Sequence, residues 1–140
     1  MDFLMKIFLL GMNLFIGLGA LSGGVLAVST SAHASFGIDS SLLIHSPFTT
    51  FLIPGLFLLF VLGFGNLFLA FYGVKSASFP YTSCLMGMIL IAWIIIQCLF
   101  LASIAFLHVL FFALGFIQFI GGWRLAKKEA VYFPFSAKKN

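Results

Sequence analysis

Residues 76–123, SASFPYTSCLMGMILIAWIIIQCLFLASIAFLHVLFFALGFIQFIGGW, contain no charged side chain and lie between Lys75 and Arg124. A helix rises about 1.5 Å per residue and a bilayer core is about 30 Å thick, so one crossing needs roughly 20 apolar residues. The run is too long for one crossing and suits two, joined by a tight turn. A basic residue closes it at each end. The stretch therefore predicts a membrane hairpin whose ends share one side, and the rest of the chain is read outward from it.

Composition agrees. Hydrophobic residues fill 63% of the 140 positions and charged residues only 7%, with a mean hydropathy of +1.24. A soluble domain carries about 25% charged residues, so this chain has too few to build a water-facing surface. The 20 Phe residues suit lipid contact and helix packing alike. One domain is expected at this length. The net charge of +4 is not a nucleic-acid signal, because it comes mainly from Arg124, Lys127, Lys128, Lys138 and Lys139 at one end. Such a cluster beside a span marks a cytoplasmic flank. Cys84 and Cys98 fall about 21 Å apart along one predicted helix, beyond disulfide reach. They read as small buried hydrophobes.

Upstream of the hairpin, an apolar run from Phe3 to about Val28 has Lys6 as its only charge. Gly19, Gly23 and Ala27 recur at helical spacing, as do Gly17, Ala20 and Gly24. Small residues so spaced let a second helix approach closely, within the chain in preference to a dimer. Lys6, the apolar run and Ala32-His33-Ala34 also resemble a signal peptide with an A-x-A cleavage site, but the run exceeds the 7–15 residues usual there. Residues 29–46 read as the one substantial loop, without Lys or Arg. In it, Asp39-Ser40-Ser41 before Leu42-Leu43-Ile44 suggests a capped, short interfacial helix.

Ser46-Pro47 has the form of a helix start, with Ser at the N-cap and Pro first. The second span is then predicted over about 47–72, with Pro54-Gly55 inside it. Pro54 would deprive the Thr50 carbonyl of its helical partner and kink the helix. Gly73 and Pro80 bracket a short turn as helix stop and start. The hairpin resolves into spans over about 81–101 and 105–123, turning near Ala102-Ser103-Ile104. This gives a transmembrane domain over 1–124 and a basic tail over 125–140, in which 131–135 could touch the membrane surface. Lys6, Lys75 and the tail share one side of this four-span arrangement. The expectation is an all-α, antiparallel integral membrane four-helix bundle with both termini cytoplasmic. Tyr72, Tyr81 and Trp123 fall at that same face, as an aromatic belt would.

Polar residues are few enough to take singly. Asp2, Asp39 and Glu129 all fall outside the spans, so a proton-coupled pump would have only His108 to rely on. No spacing singles out a nucleophilic serine. His33, His45 and His108 fall on the side opposite the termini, and neutral imidazoles suit zinc or copper. Their spacing matches no metal motif, so loop and interfacial histidines are the competing interpretation. Asn13, Asn66 and Gln118 lie about 8–11 Å below the cytoplasmic interface by residue count. They are either hydrogen-bonding glue between helices, the preferred interpretation, or the lining of a cytoplasm-facing cavity. Trp93 and Gln97 share a face of the third span; a Trp that deep should find a partner for its N–H. It either packs against a neighbour or walls a ligand pocket.

Ser46-Pro47-Phe48, Leu52-Ile53-Pro54-Gly55-Leu56, Gly63-Phe64-Gly65-Asn66 and Trp93-Ile94-Ile95-Ile96-Gln97 together carry a resemblance. The chain resembles a widespread group of small, uncharacterised four-span bacterial membrane proteins with an SPF…IPG second helix and a W-x3-Q third helix. The resemblance implies a bacterial inner-membrane protein and brings no activity or cofactor with it. Three functional classes follow. The first is a non-catalytic accessory, structural or partner-binding component of the bilayer, alone, self-associated or with another membrane protein. The second is a small oligomeric carrier, channel or lipophilic-ligand binder using Trp93, Gln97, Asn13, Asn66 and Gln118. The third is a membrane enzyme or metal site using His33, His45 and His108.

Overall fold

The structure, a computed structural model, describes residues 2–36, 40–129, 131–132 and 136–137. Its helices are α1 (Asp2–Val28), α2 (Thr30–Phe36), α3 (Leu52–Phe57), α4 (Gly65–Phe71), α5 (Phe79–Leu101) and α6 (Phe106–Lys128). A π-helical segment, Leu58–Phe64, fuses α3 and α4 into one continuous span. Two 3-10 turns, Ser40–Leu43 and Gly73–Lys75, occupy the connections. Four helices are long and apolar enough to cross a membrane: Phe3–Val28, Leu52–Phe71, Phe79–Leu101 and Phe106–Lys128. Phe8, Phe15, Phe60, Phe64, Phe68 and Phe116 stand outward from them. In water such a surface would aggregate, whereas in lipid it is solvated. Four long apolar helices with outward-facing Phe side chains are the make-up of a multi-pass helical membrane protein.

Neighbouring helices run antiparallel, and small residues set how closely they approach. Along α1 and the second span, Gly17 faces Leu67 and Gly63, Gly24 faces Leu59, and Ala27 and Val28 face Gly55. A Cβ on Gly24 would lie 2.8 Å from the Leu59 backbone. Both small-residue faces of α1 are thus used within the chain, since Gly19 lies under the Phe111 ring and Gly23 beside Leu58. The tightest contact joins α5 to α6. A Cβ on Gly87 would meet the Phe119 nitrogen at 2.6 Å, and one on Gly122 the Cys84 nitrogen at 2.6 Å. Backbone meets backbone there, the geometry that small residues permit in membrane bundles. Leu9, Ile16, Leu62, Phe79, Leu90 and Leu125 fill the centre.

Several boundaries differ from expectation, each for a local reason. The second span begins at Leu52, not near Pro47. Ser46 is taken up in a turn, its hydroxyl accepting the Phe48 N–H at 3.2 Å, which withdraws Pro47 from a helix start. Pro54 therefore sits in the first turn, where a missing N–H costs nothing. Thr50 lies outside the helix, so the predicted proline kink does not arise. The irregularity comes later, in the π segment, where the Gly65 N–H reaches back to the Phe60 carbonyl.

The segment read as a loop from Ser29 contains α2. Ser29 interrupts α1 for a single residue, and its hydroxyl accepts the Ala32 N–H at 3.3 Å as a cap. Of the predicted interfacial helix, a 3-10 turn forms and buries Leu43; Asp39, its proposed cap, lies outside the described residues. Helix α5 starts at Phe79 with Pro80 in its first turn, as the sequence suggested. The hairpin turn falls at Ala102, which adopts the left-handed conformation (φ 49°, ψ 32°) usually reserved for glycine. Helix α6 runs past Trp123 to Lys128, because Leu125 is buried. Beyond it, Val131–Tyr132 pairs antiparallel with Ser136–Ala137; residues 133–135 and Lys138 and Lys139 lie outside the described residues.

Candidate functional site

One layer of the bundle holds most of the buried polar side chains. Asn13 of α1, Asn66 of α4, Ser83 of α5 and Gln118 of α6 are all 0% exposed, so each crossing helix contributes one. Gln118 sits at the centre. Its Nε2 donates to Asn13 Oδ1 at 3.0 Å and to Asn66 Oδ1 at 2.9 Å. Asn13 Nδ2 in turn donates to Ser83 Oγ at 3.1 Å and to the Leu9 carbonyl at 2.8 Å. Asn66 Nδ2 donates to the Leu62 carbonyl at 2.7 Å. Two acceptors facing one amide nitrogen fix the orientation of the Gln118 amide, because the flipped form would set oxygen against oxygen. The Gln118 Oε1 is left without a partner among the described residues.

Such bonds between membrane helices contribute about 0.6–2 kcal/mol each. Removing one partner is more costly, since the other then stays buried and unpaired. The three amides anticipated from depth therefore meet, and they bond to one another. Ser83 was not anticipated. Its only signal was its position on α5, one turn before Gly87, where the helices approach most closely.

Towards the opposite end the same helices part around a crevice of about 170 Å³, lined among others by Gly19, Gly23, Leu58, Gln97, His108 and Phe111. A second, more open groove of about 320 Å³ adjoins it, bounded by Ile94, Cys98, Leu99, Ile104, His108 and Phe112. Ile94 and His108 belong to both. His108 is oriented by its own helix start: its Nδ1 accepts the Ala105 N–H at 3.0 Å, a side chain reaching back to the N-cap. With Nδ1 an acceptor, the neutral ring carries its proton on Nε2.

Trp93 is buried (7% exposed) and its ring lies 4.6 Å from that of Phe57. Its indole N–H finds no hydrogen-bond partner among the described residues, contrary to expectation. The ring packs, tilted by 32°, against the apolar Phe57 ring, while Gln97, one turn on, lines the crevice instead. Packing thus accounts for Trp93, and of the Trp93–Gln97 pair only Gln97 reaches the cavity.

The three histidines have separate surroundings. His33 Nε2 donates to the Ala27 carbonyl at 2.6 Å, bridging the break between α1 and α2, and its ring meets Phe51 edge-on. His45 is exposed in the turn after Leu43. His108 lines the two cavities. Among the described residues no group of three His, Cys, Asp or Glu side chains is placed to hold a metal ion. An ion pair, Lys6 to Glu129 at 3.4 Å, joins the ends of α1 and α6. Lys127 lies over the Trp123 ring at 5.2 Å nearby. Comparison with protein-family models, curated proteins and solved structures returned no match.

Proposed function

We propose that this protein is a non-catalytic accessory component of a membrane, acting through contact with a partner polypeptide or a second copy of itself. The observation that carries this reading is the amide cluster. Asn13, Asn66 and Gln118 are the side chains best suited to line a polar passage. They are wholly buried and bonded to each other, so they serve cohesion. The bacterial inner membrane, with both termini cytoplasmic, is the proposed setting. Lys6, Lys75, Arg124, Lys127 and Lys128 lie at one end of the bundle, and neither residues 29–46 nor the Ala102 turn contain Lys or Arg. The resemblance to small four-span bacterial membrane proteins supports the same setting.

A second reading, a binder of a small lipophilic molecule, is favoured by the crevice at Gln97 and His108. Native mass spectrometry of the protein extracted in mild detergent separates the two. The accessory reading expects a polypeptide partner or a second copy at fixed stoichiometry. A monomer retaining one small molecule would replace it with the second reading.

A further inference from the structure

We propose that the crevice and the adjoining groove form one binding site for a membrane-soluble compound with a carbonyl-bearing ring and an alkyl tail, a quinone being the plain example. This rests on the second reading above. Three observations carry it. The first is size. Dry cavities of about 150 Å³ hold a benzene ring, and the crevice measures about 170 Å³. It therefore suits one six-membered ring in place of a whole lipid.

The second is adjacency. The groove of about 320 Å³ shares Ile94 and His108 with the crevice as common walls, and its other walls include Cys98, Leu99, Ile104 and Phe112. The groove offers an alkyl chain apolar walls on α5 and α6 directly beside the crevice. The third is chemistry. Gln97 and His108 are the hydrogen-bonding side chains of an otherwise apolar lining. Ligand pockets have this character, with a few polar groups that set orientation in a mainly apolar wall. Because the Ala105 N–H occupies Nδ1, the neutral imidazole has only Nε2–H left to offer, and that is a donor. The Gln97 amide adds two more donors and one acceptor oxygen. A ligand carrying carbonyl oxygens meets those donors, whereas an unsubstituted hydrocarbon leaves them unmet.

The test uses the full chain carrying Trp123→Phe, which makes Trp93 the only tryptophan, in phosphatidylcholine nanodiscs. Decyl-benzoquinone is titrated while Trp93 fluorescence is followed. Saturable quenching at one quinone per chain is expected. It should be weakened about tenfold by Gln97→Met, which keeps the side-chain volume and removes the amide. Gly23→Val, which fills the crevice, should abolish saturation; each variant's thermal midpoint is measured alongside to verify folding. Two competitors identify what is recognised. Decylbenzene, ring and chain without carbonyl, and decanoic acid, carbonyl and chain without ring, should each fail to displace the quinone at tenfold excess.

Displacement by decylbenzene would overturn recognition of the carbonyl while leaving the lipophile-binder reading in place. Displacement by decanoic acid would overturn the ring and assign the site to acyl chains. Absence of saturable quenching in a folded protein would overturn the proposal. The lipophile-binder reading would fall with it only if native mass spectrometry also found no retained small molecule.

Discussion

At the level of Asn13 and Gln118 the four crossing helices meet through amide and hydroxyl groups; at the level of Gln97 and His108 the same four stand apart around a crevice. Each level contains a glutamine on a long apolar helix, so residue type alone does not separate them. What differs is the company at equal depth. Gln118 finds polar side chains on the other three helices, including Asn13 and Asn66, whose carbonyl oxygens both face its nitrogen. Gln97 finds Gly19 and Gly23, which have no side chain to offer, Leu58, and a His108 whose Nδ1 is already taken by the Ala105 N–H. A polar group in a bilayer core is cohesive where partners share its layer and available to a ligand where they do not.

The comparison can be broken first at its tightest point. Gly87→Ala forces a Cβ into the backbone of Phe119 and should destabilise the bundle by about 3 kcal/mol or more. Reversible unfolding in mixed micelles would measure it; a change below 1 kcal/mol would mean that the α5–α6 contact is looser than its geometry. The next step exchanges the two glutamines for the same residue. Gln118→Leu strands the carbonyl oxygens of Asn13 and Asn66 and should cost about 2–4 kcal/mol. Gln97→Leu strands nothing and should stay within about 0.5 kcal/mol of the parent. Equal effects would erase the distinction between the two levels.

Sharper still is a double-mutant cycle between Asn13→Ala and Gln118→Ala, expected to show coupling of about 0.6–2 kcal/mol. A cycle between Asn13→Ala and Gln97→Ala should show none. The last expected change is a gain. Ala102 holds a left-handed conformation that disfavours an L-residue by about 1–2 kcal/mol. Ala102→Gly should therefore raise stability by about 1 kcal/mol, seen as a higher thermal midpoint, without altering either polar level.

Much of this architecture was legible in the order of residues. The uncharged run from Ser76 to Trp123, the lone Lys75 and Pro80 were enough to place α5 and α6. Counting depth from the span ends was enough to put Asn13, Asn66 and Gln118 in one layer, because helical rise is nearly constant. The start of the second span was not legible, since Pro47 and Pro54 are both admissible helix openers. The choice between them was made by the Ser46 turn, a hydrogen bond that competes with the helix. Ser83 was hidden among the chain's many serines, and its bond to Asn13 joins helices far apart in the order of residues. His33 read as a loop residue because α2 is short and depends on Ser29 and the Ala27 carbonyl, neither of which has a distinctive pattern.

The π-helical turn at Leu58–Phe64 has a consequence for how the second span tolerates changes in length. A π turn accommodates surplus chain within a helix. Here the surplus lies between Gly55, which faces Val28, and Asn66, which faces Gln118. Deleting the outward-facing Phe60 would let the segment rewind as ordinary α-helix with both anchors still on their present faces. An equivalent deletion at Ile91 in α5, where no slack is stored, would turn everything beyond it by about 100°. Trp93 would then leave Phe57, and Gln97 would leave the crevice. Helix α5 thus behaves as a fixed ruler, whereas the second span carries its own length adjustment.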